Sequence, residues 1–479
     1  MTNPRLRDLA TGVGFVVLIA AVATGVNADE PDALPVSDWP IEMAVTHVDV
    51  GLHMDVATDQ ITGETIISYY DEVGKDLYLA LSFGPGPGNC GPNDSWHCHL
   101  LDSDGDVGQY NSVAVGGGGG WAEVWVSYYD ATNAALKVVR AEYYRFTGDQ
   151  FSSETRTIDS GNPATSSFKG RYTAIALSPA SVPHIAYQYG NPFPNVDEAQ
   201  LYAHYVGVGG NCGEGADVGK WQCDLITNDE GVGEYAAIDY ELDPRATVAY
   251  FDRDRGFPMV ATYAGSGGNC GPSNTWLCRS VEHATHVTGK YLSLYTEASG
   301  VPHIAYYNET DESLEYATYV VSGGNCGFSS VSLQWEWQCD WIDDMGSSPA
   351  SMGLAMGEDG AGYPVIAYQD ATSMVGPATL KLARPYAATD WSGVPNCGPQ
   401  DLLYTWLCER VDEGGSDLDE ASVVAMSMNP AGEALVAYRE LDSYPYPTEG
   451  RIKVAMEPRV IFTDGFEFGD TGCWAVTIP

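Results

Sequence analysis

The sequence predicts an all-β protein, folded as a seven-bladed β-propeller with four-stranded blades. The first observation is a strand-like run that ends in a small residue and a tyrosine, which occurs seven times in 479 residues. Its mean spacing of about 61 residues leaves room for four short strands and their turns, and such a period on an all-β pattern is typical of propellers. The seven tyrosines are Tyr69, Tyr128, Tyr187, Tyr250, Tyr306, Tyr368 and Tyr438.

Each repeat divides into four strands, A to D. Strand A is exemplified by residues 171–178, and strand B is the tyrosine run. Strand C is predicted to start near residues 76, 135, 199, 257, 313, 379 and 451, and strand D carries a Trp-x-Cys phrase. These runs are β-branched and aromatic and are separated by Gly, Pro, Asn and Asp, which is the pattern of strands and turns. The mature chain shows no sustained helical period.

A second observation predicts how the ring closes. The seventh repeat has strands A, B and C but no recognisable strand D, whereas residues 39–49 form a D-like run that belongs to no repeat. If this N-terminal strand pairs with the last strand C, the first and last repeats share a blade and no sheet edge stays open. We therefore expect the propeller to span residues 39–462.

The third observation is the spacing of the cysteines. Ten of the eleven form five local pairs, in which the first member lies in Asn-Cys-Gly and the second in Trp-x-Cys. One pair within each of five repeats indicates local disulfides in an oxidising compartment. Zinc sites use shorter spacings and need four converging ligands. The predicted pairs are Cys90 with Cys98, Cys212 with Cys223, Cys270 with Cys278, Cys326 with Cys339, and Cys397 with Cys408; Cys473 is left over.

The ends of the chain predict its destination. Residues 1–28 have the pattern of a signal peptide, with Arg5 and Arg7 before an apolar run over 13–26 that is short for a membrane span. An uncleaved anchor is the alternative. Residues 29–38 form an acidic, flexible lead-in, and residues 463–479 form a C-terminal tail. We expect a secreted or cell-surface protein, with the periplasm as an alternative, and no membrane span after signal cleavage.

The charge is strongly negative, with 22 basic against 65 acidic residues and a net charge of −43. Such a surface repels nucleic acid and anionic lipid and attracts cations. Nucleic acid is therefore excluded as a partner. Solubility is the simplest explanation of the acidity.

Antiparallel strands place the B–C and D–A loops of every blade at the same end of the ring. Acids collect there, next to a second aromatic residue that follows the repeated tyrosine. Because the repeated tyrosines recur in all seven repeats, they are expected to pack between blades, and the second aromatics are better ligand candidates. The predicted ligand face comprises Tyr70, Tyr129, Phe251, Tyr307, Asp71, Asp130, Asp252 and Asp370.

One D–A loop resembles the start of a calcium-binding loop. It carries Asp102, Asp104 and Asp106, and carboxylates suit calcium because this ion takes six to eight oxygen ligands. Val107 stands where such a loop needs glycine, and no glutamate follows at its end. Turn formation by aspartate is the alternative. We predict no redox or organic cofactor, and calcium as the one candidate ion.

No catalytic signature is evident in the sequence. A sialidase would need an arginine cluster and Asp-boxes, and neither is present; Gly-x-Ser-x-Gly, His-Glu-x-x-His and P-loop motifs are also absent. A carboxylate pair for glycoside hydrolysis cannot be singled out among so many acids.

Residues 289–320 resemble the repeats of exported bacterial β-propeller proteins, which have a consensus near Pro-His-Ile-Ala-Tyr-Tyr-Asp followed by Leu-x-Tyr-Ala. Residues 461–474 resemble an Asp-Gly-Phe-Glu-x-Gly-Asp-Thr-x-x-Trp tail of secreted bacterial proteins. The resemblance implies the fold but little about function. We predict a non-catalytic binding module for an extracellular glycan or protein. The alternatives are a glycan-active hydrolase or lyase with its site in the axial funnel, and a purely structural envelope component.

Overall fold

A computed structural model describes residues 39–46, 49–84, 86–191, 197–242, 245–281, 287–346, 353–370, 379–385, 396–398, 406–412, 423–441 and 450–458. The predicted signal peptide, the acidic lead-in, the C-terminal tail and Cys473 lie outside these residues.

The described residues form 29 strands, numbered in chain order. The first nine are β1 (Ile41–Val45), β2 (Val50–Thr58), β3 (Thr65–Asp71), β4 (Asp76–Leu81), β5 (His97–Asp102), β6 (Val107–Gly116), β7 (Trp121–Asp130), β8 (Ala135–Tyr144) and β9 (Ser152–Ser160). The next eight are β10 (Phe168–Leu177), β11 (Pro183–Asn191), β12 (Asp197–Tyr205), β13 (Trp221–Thr227), β14 (Val232–Leu242), β15 (Arg245–Asp252), β16 (Phe257–Tyr263) and β17 (Trp276–Ser280).

The remaining strands are β18 (Thr288–Thr296), β19 (Pro302–Asn308), β20 (Ser313–Tyr319), β21 (Cys326–Ser329), β22 (Gln334–Asp344), β23 (Leu354–Glu358), β24 (Pro364–Asp370), β25 (Thr379–Pro385), β26 (Trp406–Asp412), β27 (Val424–Met428), β28 (Ala434–Leu441) and β29 (Gly450–Met456). Short 3-10 helices lie at Pro92–Asp94, Pro163–Thr165, Gly215–Asp217 and Pro272–Asn274. Within the described part of the chain, no helix is long and apolar enough to cross a membrane.

The strands form seven antiparallel blades, and the predicted seven-bladed propeller is confirmed. Blades 1 to 4 take β2–β5, β6–β9, β10–β13 and β14–β17 in order. Blade 6 takes β23–β26. Blade 5 has the order β18-β19-β20-β22-β21, so it carries one strand more than the sequence predicts. This extra strand, β21, forms because the C–D loop of blade 5 folds back and pairs with the first half of β22.

Blade 7 closes the ring as predicted. It has the order β27-β28-β29-β1, so the N-terminal strand completes the last blade. Ile41 lies opposite Ala455, and Val45 lies opposite Ile452. The first strand of each blade contacts the first strand of the next, from β2 through β6, β10, β14, β18, β23 and β27 back to β2. These seven strands therefore surround the axis.

The core lies between neighbouring blades. All seven repeated tyrosines have at most 1% of their surface exposed, which confirms their predicted packing role. Both faces of a blade are apolar because each blade is covered by a neighbour on either side.

The five predicted disulfides form, each with a Cα–Cα distance of 5.9 Å. The structure also explains the Asn-Cys-Gly phrase. In blade 4, the amide of Asn269 donates to the carbonyl of Cys278 (2.9 Å) and accepts from the Cys278 N–H (2.7 Å). Asn89, Asn211, Asn325 and Asn396 make the same two bonds in their own loops. Each loop is therefore closed by two interactions, the disulfide and the pair of asparagine hydrogen bonds.

The five C–D loops closed by disulfides, called the stapled loops below, also join neighbouring blades. The N–H of Gly213 in blade 3 donates to the carbonyl oxygen of Ile158 in blade 2. The N–H of Gly398 in blade 6 donates to the carbonyl oxygen of Ile342 in blade 5. Both glycines have positive φ (98° and 86°), and the indole of the buried tryptophan lies against the position that a Cβ would occupy. Blade 7 has no such loop because its strand C (β29) and strand D (β1) lie far apart in the sequence and are not joined by a C–D loop. Five disulfides are typical of proteins from an oxidising, extracellular environment.

Candidate ligand-binding site on the propeller axis

Five aromatic side chains surround the axis and form what we call the axial aromatic ring. Adjacent ring centroids lie 4.7 Å, 4.7 Å, 5.2 Å and 4.7 Å apart, in the order His53, Tyr110, Tyr172, Tyr235 and Tyr291. They occupy the same position in the first strands of blades 1 to 5, two residues after a glycine. Because this position is near the start of each first strand, the ring lies at the end of the propeller that carries the D–A and B–C loops.

The backbone turns these side chains toward the axis. The four tyrosines have φ between 48° and 53°, in the left-handed region, and the strand pairing shifts register at the same place. Left-handed geometry costs an L-residue roughly 1–2 kcal/mol. The glycines two residues before these side chains also have positive φ, for example 111° at Gly108. Repeated strain of this kind is concentrated at binding and catalytic sites.

The ring encloses part of an open cavity of about 190 Å³. Asn111, Thr173 and Ala236 line it below the aromatic side chains, and Val423 of blade 7 lines it opposite them. The corresponding residue of blade 6 is Gly353, by the strand pairing. Of the residues that the structure describes, the aromatic lining of the cavity comes from blades 1 to 4, and the aliphatic Val423 lines it from blade 7.

The aromatic side is uncharged at neutral pH. Burial lowers the pKa of His53 to about 4, against a smaller opposing effect of Asp106. Burial also raises the pKa of Tyr172 and of Tyr235, so both hydroxyls stay protonated. Of the described residues that line the cavity, none carries a carboxylate. The site presents neutral rings and neutral hydrogen-bonding groups.

Polar groups below the ring are held by neighbouring blades. The Asn111 amide donates to the carbonyl oxygen of His53 (2.8 Å). Asp55 accepts from the N–H of Val113 (2.9 Å) and from the hydroxyl of Ser112 (2.8 Å), and burial raises its pKa. These bonds satisfy first-strand edges that would otherwise be unpaired at the axis. The wall of the cavity is therefore rigidly supported.

The predicted ligand-face aromatics lie behind the axial aromatic ring instead of at a surface. Tyr70, Tyr129, Phe251 and Tyr307 each have at most 5% of their surface exposed. Tyr70 packs against His53 (5.9 Å between centroids), and Phe251 packs against Tyr235 (6.3 Å). The Tyr307 hydroxyl donates to the carbonyl of Gly346 (3.0 Å). They are positioned to hold the ring in place, and direct ligand contact by them stays a prediction.

The predicted ligand-face acids are the last residues of four strands B, and three of them bond the B–C turn that follows. Asp71 accepts from the N–H groups of Val73 and Gly74, both at 2.9 Å. Asp130 accepts from the N–H of Asn133 (2.8 Å). Similar contacts join Asp252 to the N–H and guanidinium of Arg255, and Asp370 to the ammonium of Lys381. Turn stabilisation accounts for Asp71, Asp130 and Asp252 without a ligand.

Two of the three aspartates in the candidate calcium loop bind lysines. Asp102 accepts from the ammonium of Lys137 (2.5 Å) and from the hydroxyl of Tyr128 (2.6 Å). Asp106 accepts from Lys75 (2.9 Å), and Asp104 is exposed. A cation would have to displace two lysines to use these oxygens. Among the residues with described positions, no group of three or more His, Cys, Asp or Glu could hold a metal. Calcium binding elsewhere stays a prediction.

Sequence reasoning missed the axial aromatic ring. The available signal was a Gly-x-Tyr or Gly-x-His phrase at the start of strand A in five successive repeats. That phrase was part of the repeat consensus, but strand alternation alone does not show that its tyrosine faces the axis.

No protein-family model matches the sequence, and no curated protein matches it either. Solved structures with a similar chain path include a protein of unknown function from Dyadobacter fermentans, at 12% identity, covering 88% of this chain and 98% of that chain, with a TM-score of 0.42. AofleA from Arthrobotrys oligospora is 10% identical, over 72% of this chain and 86% of that chain, with a TM-score of 0.39. A polysaccharide lyase described as an ulvan lyase is 12% identical over 83% of each chain, with a TM-score of 0.26. These values are too low to bear on function.

Proposed function

We propose that this propeller is a secreted or cell-surface binding module and that the axial aromatic ring binds a neutral glycan. The observation that carries the proposal is the uncharged, concave aromatic wall around the axial cavity. Aromatic faces stack on the apolar faces of sugar rings, while tyrosine hydroxyls and amides bond sugar hydroxyls.

The size and asymmetry of the cavity support a small or terminal sugar unit. Its volume of about 190 Å³ lies below the roughly 300–1,000 Å³ of pockets for drug-sized ligands. One sugar would stack on the tyrosines, on the side of the cavity opposite Val423.

Binding is favoured over hydrolysis by the chemistry of the lining. Glycoside hydrolysis ordinarily uses two carboxyl groups on either side of the bond that breaks. The described lining offers one neutral histidine and no carboxylate. A glycan-active hydrolase or lyase remains the alternative, and the same experiment tests it.

The test is calorimetric titration of the purified protein with a panel of neutral oligosaccharides, with sugar release followed in parallel. Tyr172→Ala and Tyr235→Ala are expected to weaken binding by about ten-fold or more, since each removes a stacking surface. Trp121→Ala is the matched control, because this exposed tryptophan lies at the other end of blade 2. Binding that both tyrosine variants leave intact would contradict the axial site. Turnover lost in the tyrosine variants would establish the enzyme, and binding only to an extracellular protein would refute the glycan assignment.

A further inference from the structure

A second cleft lies between blades 4 and 5, at the end of the propeller opposite the axial aromatic ring. Its volume is about 520 Å³. Its lining includes Arg245, Tyr263 and Arg279 from blade 4 and Pro302 and Tyr319 from blade 5. We propose that this cleft is a separate binding site for an acidic oligosaccharide, whose charged groups are recognised by Arg245 and Arg279.

The charge of the cleft contrasts with that of the protein. The chain has 22 basic and 65 acidic residues, and most described basic side chains pair with a carboxylate. Arg245 is exposed and has no carboxylate partner among the described residues. Two arginines that converge on one cleft of an acidic protein form a local site for anions.

Arg279 is positioned by its neighbours. Its guanidinium lies over the ring of Tyr319, at 4.6 Å from the centroid. Its Nε is 3.6 Å from Oε2 of Glu336, a long ion pair. The contact with Tyr319 helps to orient the guanidinium, for which an anionic ligand would compete with Glu336. A guanidinium binds a carboxylate or a sulfate through two parallel hydrogen bonds.

The cleft continues past Arg279 into a second cavity. That cavity has a volume of about 410 Å³ and lies between the stapled loops of blades 4 and 5. Asn269, Phe328 and Glu336 line it, and it shares Leu277 and Arg279 with the first cavity. Arg279 therefore lies where the two cavities meet, with Tyr263 and Tyr319 lining the first cavity and Phe328 lining the second.

The ligand follows from these groups. Tyrosine and phenylalanine faces suit sugar rings, and two guanidinium groups at separate positions suit a chain that carries repeated negative charges. The shared chemistry is an oligosaccharide bearing carboxylate or sulfate groups. This site is independent of the neutral-glycan site on the axis, so either assignment can fail without the other.

The test compares three oligosaccharides of equal length by calorimetry: one of uronic acids, one sulfated and one neutral. Acidic oligosaccharides are expected to bind, more weakly as salt is raised. Arg279→Gln is expected to weaken this binding by about ten-fold or more, and Arg245→Gln by a few-fold, because a charge-assisted contact is lost. Arg279→Lys keeps the charge but loses the paired hydrogen bonds, and it is expected to weaken binding nearly as much.

Two variants serve as controls. Arg253→Gln removes an equal charge at the opposite end of strand β15, where Arg253 pairs with Glu198 and Glu234, and it is expected to leave binding unchanged. Glu336→Gln removes the carboxylate that competes for Arg279 and is expected to strengthen binding. Affinity for the neutral oligosaccharide equal to that for the acidic ones would overturn the proposal. So would absence of binding, or acidic binding that no arginine variant alters. Tyr172→Ala, which tests the axial site, is expected to leave acidic binding intact.

Discussion

The hydroxyl of Tyr128 in blade 2 donates to a carboxylate oxygen of Asp102 in blade 1, at 2.6 Å. Lys137 of blade 2 reaches the same carboxylate. Blades 5 and 6 repeat the arrangement with Tyr368, Asp343 and Lys381, and blades 6 and 7 repeat it with Tyr438, Asp412 and Lys453. Charged side chains therefore join these neighbouring blades, in addition to the apolar packing between them.

Asp102→Asn tests this inter-blade contact. Burial alone would raise the pKa of Asp102, but the hydrogen bonds from Lys137 and Tyr128 outweigh it, and the pKa falls below the ordinary value. The contact therefore stabilises the fold above the unfolded-state pKa, and this contribution is lost as pH falls through the folded-state pKa. We expect a loss of about 3 kcal/mol at pH 7 that shrinks below about pH 4.

Urea unfolding across pH 2.5–7 measures this loss. Asp104→Asn, in the same loop but exposed, is expected to change the free energy of unfolding by less than about 0.5 kcal/mol. Equal effects of the two substitutions would contradict the assignment.

Glu409→Gln is expected to stabilise the protein at alkaline pH. Burial raises the pKa of Glu409 to about 7, with a smaller opposing effect of Arg384. Because the folded state binds this proton more tightly, stability decreases as pH rises from about 4.5 to 7. The variant should gain up to about 3 kcal/mol at pH 8 and little at pH 4. Thermal melts at both pH values measure the gain, with the exposed Glu230→Gln as control. A variant that is less stable at pH 8 would show that the charge of Glu409 is needed.

The C–D loop of blade 4 is held by a disulfide and by the hydrogen bonds of Asn269, and the two contributions can be measured separately. Replacing Cys270 and Cys278 by alanine is expected to cost about 2.5 kcal/mol, from the greater freedom of the unfolded chain. Asn269→Ala, which keeps the disulfide, removes two hydrogen bonds and should cost about 1–2 kcal/mol. Denaturant titration of each variant gives these values, and peptide mapping confirms the remaining disulfides. If Asn269→Ala costs nothing, the asparagine does not support the loop.

The left-handed backbone of the axial aromatic ring predicts an unusual order of stability. At Tyr172, with φ of 48°, glycine should be more stable than alanine by about 1 kcal/mol, because glycine adopts this conformation without strain. At Tyr189, which does not have positive φ, the order should be the reverse. Melting temperatures of the glycine and alanine variants at Tyr172 and at Tyr189 test this order. The ordinary order at both positions would mean that the ring backbone is not left-handed.

Calcium is expected to have no selective effect on thermal stability through the Asp102 loop, since lysines already bind Asp102 and Asp106. Melts with EGTA, calcium or magnesium at fixed ionic strength test this expectation. A calcium-selective rise that Asp104→Asn abolishes would restore the calcium-site prediction.

Most of the fold could be predicted because each strand carries its own signal. The predicted start of strand C agrees with the structure to within two residues in every blade, and the closing strand is correct. The extra strand β21 was missed because its pairing depends on how one stapled loop folds back.

The site was harder to predict for two physical reasons. Strand alternation correctly places Tyr70 and Tyr69 on opposite sides of β3, but both sides of a blade are covered, so alternation does not separate core from surface. The axial aromatic ring depends on positive φ at tyrosine, a conformation that sequence rules assign to glycine and asparagine. Its five side chains meet only because successive blades pack side by side around the axis.

The closure of blade 7 has a consequence for how the protein is made. Its outer strand β1 is synthesised first among the strands, and its partner β29 is synthesised last. While the chain is being translated, β1 has no partner, and the first strand of blade 1 has no blade 7 to pack against. Completion of the ring is therefore a late, long-range event, and slow folding is expected to follow from it. A truncated chain would keep two exposed sheet edges, which gives proteases and chaperones a direct means to recognise unfinished molecules.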